Sequence, residues 1–169
     1  MKLIDILIEA ANYEKVIDGL FKEVPEMASI GTKEQYAEYL QTIFPSSKAK
    51  EIVYHSSPNK IEKFRNNMFG TYFSYSPIKG VYGNVVNKAL LNVKNPLVKP
   101  KPTDSMEEKE TYNKEYRNYN NPSSPHDASI EGSTVTDEGV QIRVKDPEQI
   151  HILGGKDDID KFREYVKKK

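Results

Sequence analysis

Three short stretches of this 169-residue chain carry side chains able to do chemistry. The first is Ile52-Val53-Tyr54-His55-Ser56-Ser57, an apolar run ending in an imidazole and two hydroxyls, groups that exchange hydrogen bonds and, for histidine, protons near neutral pH. The second is Gly70-Thr71-Tyr72-Phe73-Ser74, with Tyr82 ten residues after Tyr72. The third runs from Val140 through Gln141, Ile142 and Arg143 into Asp146-Pro147-Glu148-Gln149-Ile150. Taken singly, each has an ordinary structural explanation. A histidine after a strand is most often a surface or satisfied residue, and Tyr72 in a strand is ordinarily half-buried core. Tyr82 alone is an ordinary helix-end aromatic, and Asp146-Pro147 is a strand-ending turn. His126 and His151 read as structural or surface residues.

Composition narrows the chemistry further. Lys plus Arg and Asp plus Glu both number 25, so the formal charge cancels, which argues against a dedicated binder of nucleic acid or anionic membrane. Cysteine is absent, excluding disulfides, thiolate metal sites and a cysteine nucleophile. The three histidines are too scattered for a local metal motif, so no metal is expected. Apolar runs are too short to span a bilayer, and Asp5, Glu9 and Glu14 do not fit a secretory leader. Tyrosine is the marked excess, with 11 Tyr against 6 Phe and no Trp.

The elements that must position these groups follow from periodicity. Leu3, Ile4, Leu7, Ile8, Ala11, Val16, Ile17, Leu20 and Phe21 repeat with helical period over residues 3–23, and Pro25 ends that helix. Thr32-x-x-Gln35 is a capping box for a second helix carrying Tyr36, Tyr39, Leu40, Ile43 and Phe44, stopped at Pro45. Residues 1–46 therefore form a helical hairpin, either a separate docking element or a brace on residues 47–169. Strand-like runs follow at 51–54, 71–74, 85–93, 128–130, 140–144 and 150–153. Residues 97–125 read as a mobile insert with little to bury, holding one short polar helix after Ser105, with the tyrosines of 112–119 as loose surface contacts. Ile159, Phe162 and Val166 give a final amphipathic helix. The expected class is α+β, a split and mostly antiparallel sheet with an N-terminal helical hairpin and a C-terminal helix.

With these motifs in this order, residues 50–153 resemble the ADP-ribosyltransferase superfamily. The similarity is to its His-Tyr-Glu branch, shared with poly(ADP-ribose) polymerases and diphtheria toxin, and within that to small domains of phage and mobile-element polyproteins. Val-Tyr-His-Ser-Ser, Gly-Thr-Tyr-Phe-Ser, Leu91–Pro96 (LNVKNP), Asp127–Ile130 (DASI) and Pro147–Ile150 (PEQI) carry it. The resemblance implies a split-sheet core and NAD as a consumed co-substrate, cleaved at its nicotinamide–ribose bond through an oxocarbenium-like transition state. It implies His55 on the ribose hydroxyls, the Ser56 backbone on the carboxamide, Ser57 near a ribose, Tyr82 stacked on nicotinamide, and Tyr72 with Phe73 lining the opposite wall. Flat aromatic walls suit a flat cationic ring. The implied activity is mono-ADP-ribosyl transfer to a host macromolecule, chiefly protein, in the host cytoplasm, with carriage in a virion as a variant. Nucleic acid is not indicated as a partner, nor is a membrane.

Two positions depart from that pattern. The family's catalytic glutamate lies eight positions before the glutamine of its P-x-Q-I ending, which here is Gln141. Glutamine keeps the shape but carries no charge and cannot act as a base. Four explanations stand: a deliberate substitution, a natural weak or NAD-binding-only member, a surrogate acid (Glu138 or Glu131), or a different register. Ser56 stands where the family prefers glycine, narrowing the approach to the carboxamide. The alternative functions are a catalytically inactive NAD-binding or protein-binding module and a structural virion component.

Overall fold

The computed structural model describes residues 3–101, 103–132 and 140–169, with side chains from Tyr13 onward. The apolar side chains expected at Leu3, Ile4, Leu7, Ile8 and Ala11 lie outside the described residues, as does Glu138. Helix α1 spans Leu3–Glu23 and ends ahead of Pro25, because proline has no N–H for the next helical bond. Pro25 then serves as the N-cap of a short helix α2, Glu26–Ile30, which the periodicity had not distinguished from a loop. Helix α3, Lys33–Thr42, starts at the predicted capping box: Thr32 Oγ1 accepts from the Gln35 N–H, and Gln35 Oε1 accepts from the Thr32 N–H.

Seven strands follow: β1 Val53–Ser57, β2 Thr71–Ser74, β3 Val85–Leu91, β4 Pro96–Val98, β5 Ala128–Gly132, β6 Val140–Val144 and β7 Ile150–Ile152. Helix α4 (Met106–Arg117) lies between β4 and β5, and α5 (Lys156–Lys167) closes the described fold. The sheet order is β4-β5-β6-β2-β1-β3-β7, antiparallel except for the β4–β5 pair. The chain is thus α+β around a mostly antiparallel sheet. No helix among the described residues is long and apolar enough to cross a membrane.

Strand alternation sorts side chains onto two faces. Tyr54 and Leu90 face the helices, where Val16, Ile17, Leu20, Tyr36, Tyr39, Leu40 and Phe162 form one core. Val53, Phe73, Ala89, Leu91, Ile142 and Val144 face the other way and pack with Phe64 and Val93 from the loops. The helical hairpin therefore braces the sheet, sharing one apolar core with α5.

A buried carboxylate pins that brace. Asp158 is fully buried and accepts from Tyr36 Oη (2.6 Å), Tyr39 Oη (3.1 Å), His151 Nε2 (2.7 Å) and the Gly154 N–H (2.7 Å). Those donors come from α3, β7 and the turn before α5, so His151, read from sequence as structural or surface, is structural and helps join three elements.

The 97–125 insert is also corrected by the structure. Its first residues form β4, and α4 begins at a capping box in which Ser105 and Glu108 exchange side-chain and backbone bonds. Tyr119 is fully buried and Tyr112 nearly so, packing with Leu97 and Tyr116 into a small third core. Their signal was missed because tyrosines three and four apart on a polar helix also fit a solvated face.

Two outcomes follow. Asp158→Ala leaves three side-chain donors without an acceptor, and urea unfolding should show a loss of about 3–5 kcal/mol, the usual cost of breaking a buried charged network. Burial first, and the Asp158 charge second, hold the Tyr36 and Tyr39 phenols far above their ordinary value of 10.0. The unfolded chain therefore loses these protons first, so the stability these two phenols contribute should be constant below pH 10.0 and fall above it, with a shallower alkaline fall in Tyr36→Phe.

Candidate functional site

The sheet is nearly divided between β1 and β2. β1 pairs with β3 over five residues, yet with β2 only at Tyr54↔Ser74. Past that pair the strands diverge, and a cleft of about 910 Å³ opens there, within the size range of cofactor sites. His55, Ser56, Tyr72, Phe73, Tyr82 and Gln141 all line it. Ser57 does not: its hydroxyl is buried, donates to Asn59 O and accepts from Asn87 Nδ2 at 3.0 Å, which makes it a structural clamp rather than a ribose contact.

His55 occupies the divergence itself. Its Nδ1 lies 2.8 Å from the Tyr72 carbonyl oxygen, an acceptor that the shortened ladder leaves without a β1 partner. A carbonyl can only accept, so Nδ1 carries a proton and the uncharged form of the ring has its lone pair on Nε2. The ring is wedged against Phe64 and Phe73, with centroids 5.1 and 5.6 Å away. One imidazole thereby completes a strand's hydrogen bonding and keeps a second nitrogen for other use.

Tyr72 and Tyr82 are 40% and 53% exposed, so both rings are open to a ligand. Tyr82 rides on the loop between β2 and β3, held in two ways. The Ser56 hydroxyl donates to Ile78 O, so the serine standing in place of glycine ties this loop to β1. Gly83, at φ +129°, packs so closely that an added Cβ would sit 2.2 Å from Ser57 C and O. Gly70, at φ +75°, plays the same part at the entry to β2, where a Cβ would meet Val144 O at 2.5 Å.

Gln141 is half-buried on β6, opposite Ser74 on one side and Glu131 on the other. Glu131 is thus the acid nearest in the ladder, but it does not line the cleft; its Oε1 accepts from Tyr116 Oη at 3.4 Å. Among the described residues the lining contains no carboxylate at all.

Arg143 was not singled out by sequence, although its place two residues after Gln141 on the same strand face was a usable signal. Its guanidinium is buried, lies 4.2 Å from the Tyr119 ring centroid, and donates through Nη1 to the Tyr72 hydroxyl at 3.2 Å. It fixes the Tyr72 ring from behind.

Several remaining motif residues act as staples. The Asp127 carboxylate accepts from the Lys94 and Asn95 N–H groups at 2.6 and 2.9 Å. Gln149 Nε2 donates to Asn92 O and Asp127 O. LNVKNP, DASI and PEQI therefore hold one another together away from the cleft, which explains their joint occurrence without a catalytic role.

Compared with known proteins, the chain matches no family model, no curated protein and no solved structure. The functional reading accordingly rests on the geometry and chemistry of these residues.

Gly83→Ala should cost about 1–3 kcal/mol through backbone strain and loosen the Tyr82 loop. Faster amide exchange over residues 78–84, with exchange in β3 unchanged, is the expected readout.

Proposed function

We propose that the cleft binds NAD and that the protein is a mono-ADP-ribosyltransferase of the His-Tyr-Glu type, its turnover limited by Gln141. The observation that carries this reading is the convergence of His55, Tyr72, Tyr82 and Gln141 from separate elements on one cleft where β1 and β2 part. The near division of the sheet also supports an ADP-ribosyltransferase-like core. NAD would supply the scissile nicotinamide–ribose bond and a positively charged ring. His55 Nε2, its tautomer set by the Tyr72 carbonyl, accepts a ribose hydroxyl. Tyr82 and Tyr72 offer exposed flat faces to the ring. Gln141 keeps a hydrogen-bonding amide where a carboxylate would counter developing positive charge. Losing such a preorganised charge costs on the order of a hundredfold in rate. On this reading the acceptor is a host macromolecule, chiefly protein, and the protein acts in the host cytoplasm, both drawn from the sequence resemblance to phage-encoded domains.

A second reading is an NAD-binding module that does not transfer. The absence of any carboxylate among the described cleft residues favours it.

Calorimetric titration with NAD, alongside nicotinamide release, separates these readings. Binding that His55→Ala weakens about tenfold or more, and a gain of about a hundredfold in release for Gln141→Glu, is the expected result for the transferase. Binding without any gain supports the non-transferring module. No NAD binding by the wild type removes both readings.

A further inference from the structure

A cavity of about 790 Å³ lies between α1, α3, the segment leading into β1 and the end of β3, within the size range of ligand sites. It shares no lining residue with the cleft at β1 and β2, so its occupant is independent of the NAD reading. Ile17, Leu40, Phe44 and Leu90 give it apolar walls, and the small side chains of Ala37 and Ala49 leave room that larger residues would fill. Apolar walls around such a space gain contacts and lose water when it is occupied. Phe44 also carries a separate sign of function. Its φ of +50° lies in the left-handed region, where a bulky side chain is strained. Strain of this kind persists where the surroundings hold it, and it clusters at ligand sites. Here Lys50 Nζ donates to Pro45 O and Tyr13 Oη donates to Lys50 O, both at 2.6 Å, so α1 is tied to the strained turn beside the cavity.

The charged lining residues are acidic in balance. Glu14, Asp18 and Glu34 are accompanied by two ammonium groups, Lys33 and Lys50. Both lysines are engaged, Lys33 Nζ with Asp18 at 2.5 Å and Lys50 Nζ with the Pro45 carbonyl. The backbone N–H of Glu34 and then the Thr32 hydroxyl hold the Glu34 carboxyl below its ordinary value. Glu14 differs. Its side chain is exposed and makes no hydrogen bond or ion pair with any described residue. It also stands four residues before Asp18 on α1, a spacing at which like charges repel. Lys33 relieves Asp18, and nothing among the described residues does the same for Glu14.

We propose that this cavity binds a small amphiphilic amine, its apolar body between the hairpin and β3 and its cationic head on Glu14. The apolar walls select the body, and the unpaired carboxylate selects the sign of the head. Because Glu14 is exposed, the head contact is screened by salt.

Titration of the full chain at low ionic strength with octylamine, hexylamine, octanol and octanoate, followed by NMR at the methyl groups of Ile17, Ala37 and Leu40, tests this. Octylamine should shift these methyls saturably, with hexylamine binding about tenfold more weakly for its two missing methylenes. Octanol should bind more weakly than octylamine, and octanoate more weakly still. Glu14→Gln should weaken octylamine about threefold, the scale of an exposed ion pair, and leave octanol unchanged. Glu14 has no described partner to lose, so this variant keeps its fold. Ala37→Met, which fills the space, should remove octylamine binding while a dispersed methyl spectrum reports an intact fold. Octanol or octanoate binding as tightly as octylamine, or octylamine affinity unchanged in Glu14→Gln, overturns the proposal. So does octylamine that leaves the three methyls unmoved.

Discussion

A carboxylate cut off from water has to find its hydrogen bonds inside the protein, and the placing of the N-terminal helices depends on how Asp158 does so. Its two oxygens take two tyrosine hydroxyls, one imidazole and one main-chain N–H, drawn from α3, β7 and the turn before α5. A buried charge so supplied tolerates little displacement, because moving any donor leaves the others inadequate. The apolar contacts of Tyr36 and Tyr39 with Phe162 could be satisfied by several packings of a helical hairpin. The shared carboxylate selects one of them. With that face of the sheet closed by helices, the opening lies farther along, where β1 leaves β2.

The cleft in turn depends on an unmade ladder. Adjacent strands ordinarily satisfy their backbone groups against each other, and a strand pair reduced to Tyr54↔Ser74 leaves polar groups to be met in other ways. The His55 ring answers one of them by bonding Tyr72 O, while the Ser56 and Ser57 hydroxyls tie β1 to the flanking loops at Ile78 and Asn59. Of these three consecutive side chains, only His55 and Ser56 also face the opening. This gives a reason for polar residues in a row at the end of an apolar strand that does not depend on any ligand.

Tyrosine serves these two regions in separate ways. Tyr36 and Tyr39 spend their hydroxyls on Asp158, whereas Tyr112, Tyr116 and Tyr119 surround Arg143 and the inner edge of β6. Burial raises the Tyr112 and Tyr119 phenols to about 12, so they stay neutral donors beside the guanidinium. Tyr72 joins the second group to the cleft, its hydroxyl on Arg143 and its ring exposed at the opening.

Much of the local structure was legible in the chain itself. Thr32-x-x-Gln35 and Ser105-x-x-Glu108 form the capping boxes they spell out, since these bonds join residues only three apart. The alternation of Val140, Ile142 and Val144 with Gln141 and Arg143 sets which side chains share a face, since that follows from backbone geometry alone. The order of the motifs likewise singled out His55, Tyr72, Tyr82 and Gln141 as residues to watch. What the sequence did not determine was any relation between distant segments. Ser57 looked like a ligand contact until its hydroxyl was seen on Asn59 and Asn87, and His151 could be either structural or surface until Asp158 was placed beside it. The tyrosines of 112–119 looked solvated until Leu97 and Arg143 packed on them. Local hydrogen bonds and period-two alternation are written in neighbouring residues, whereas burial and charge pairing are decided by which remote surfaces the folded chain brings together.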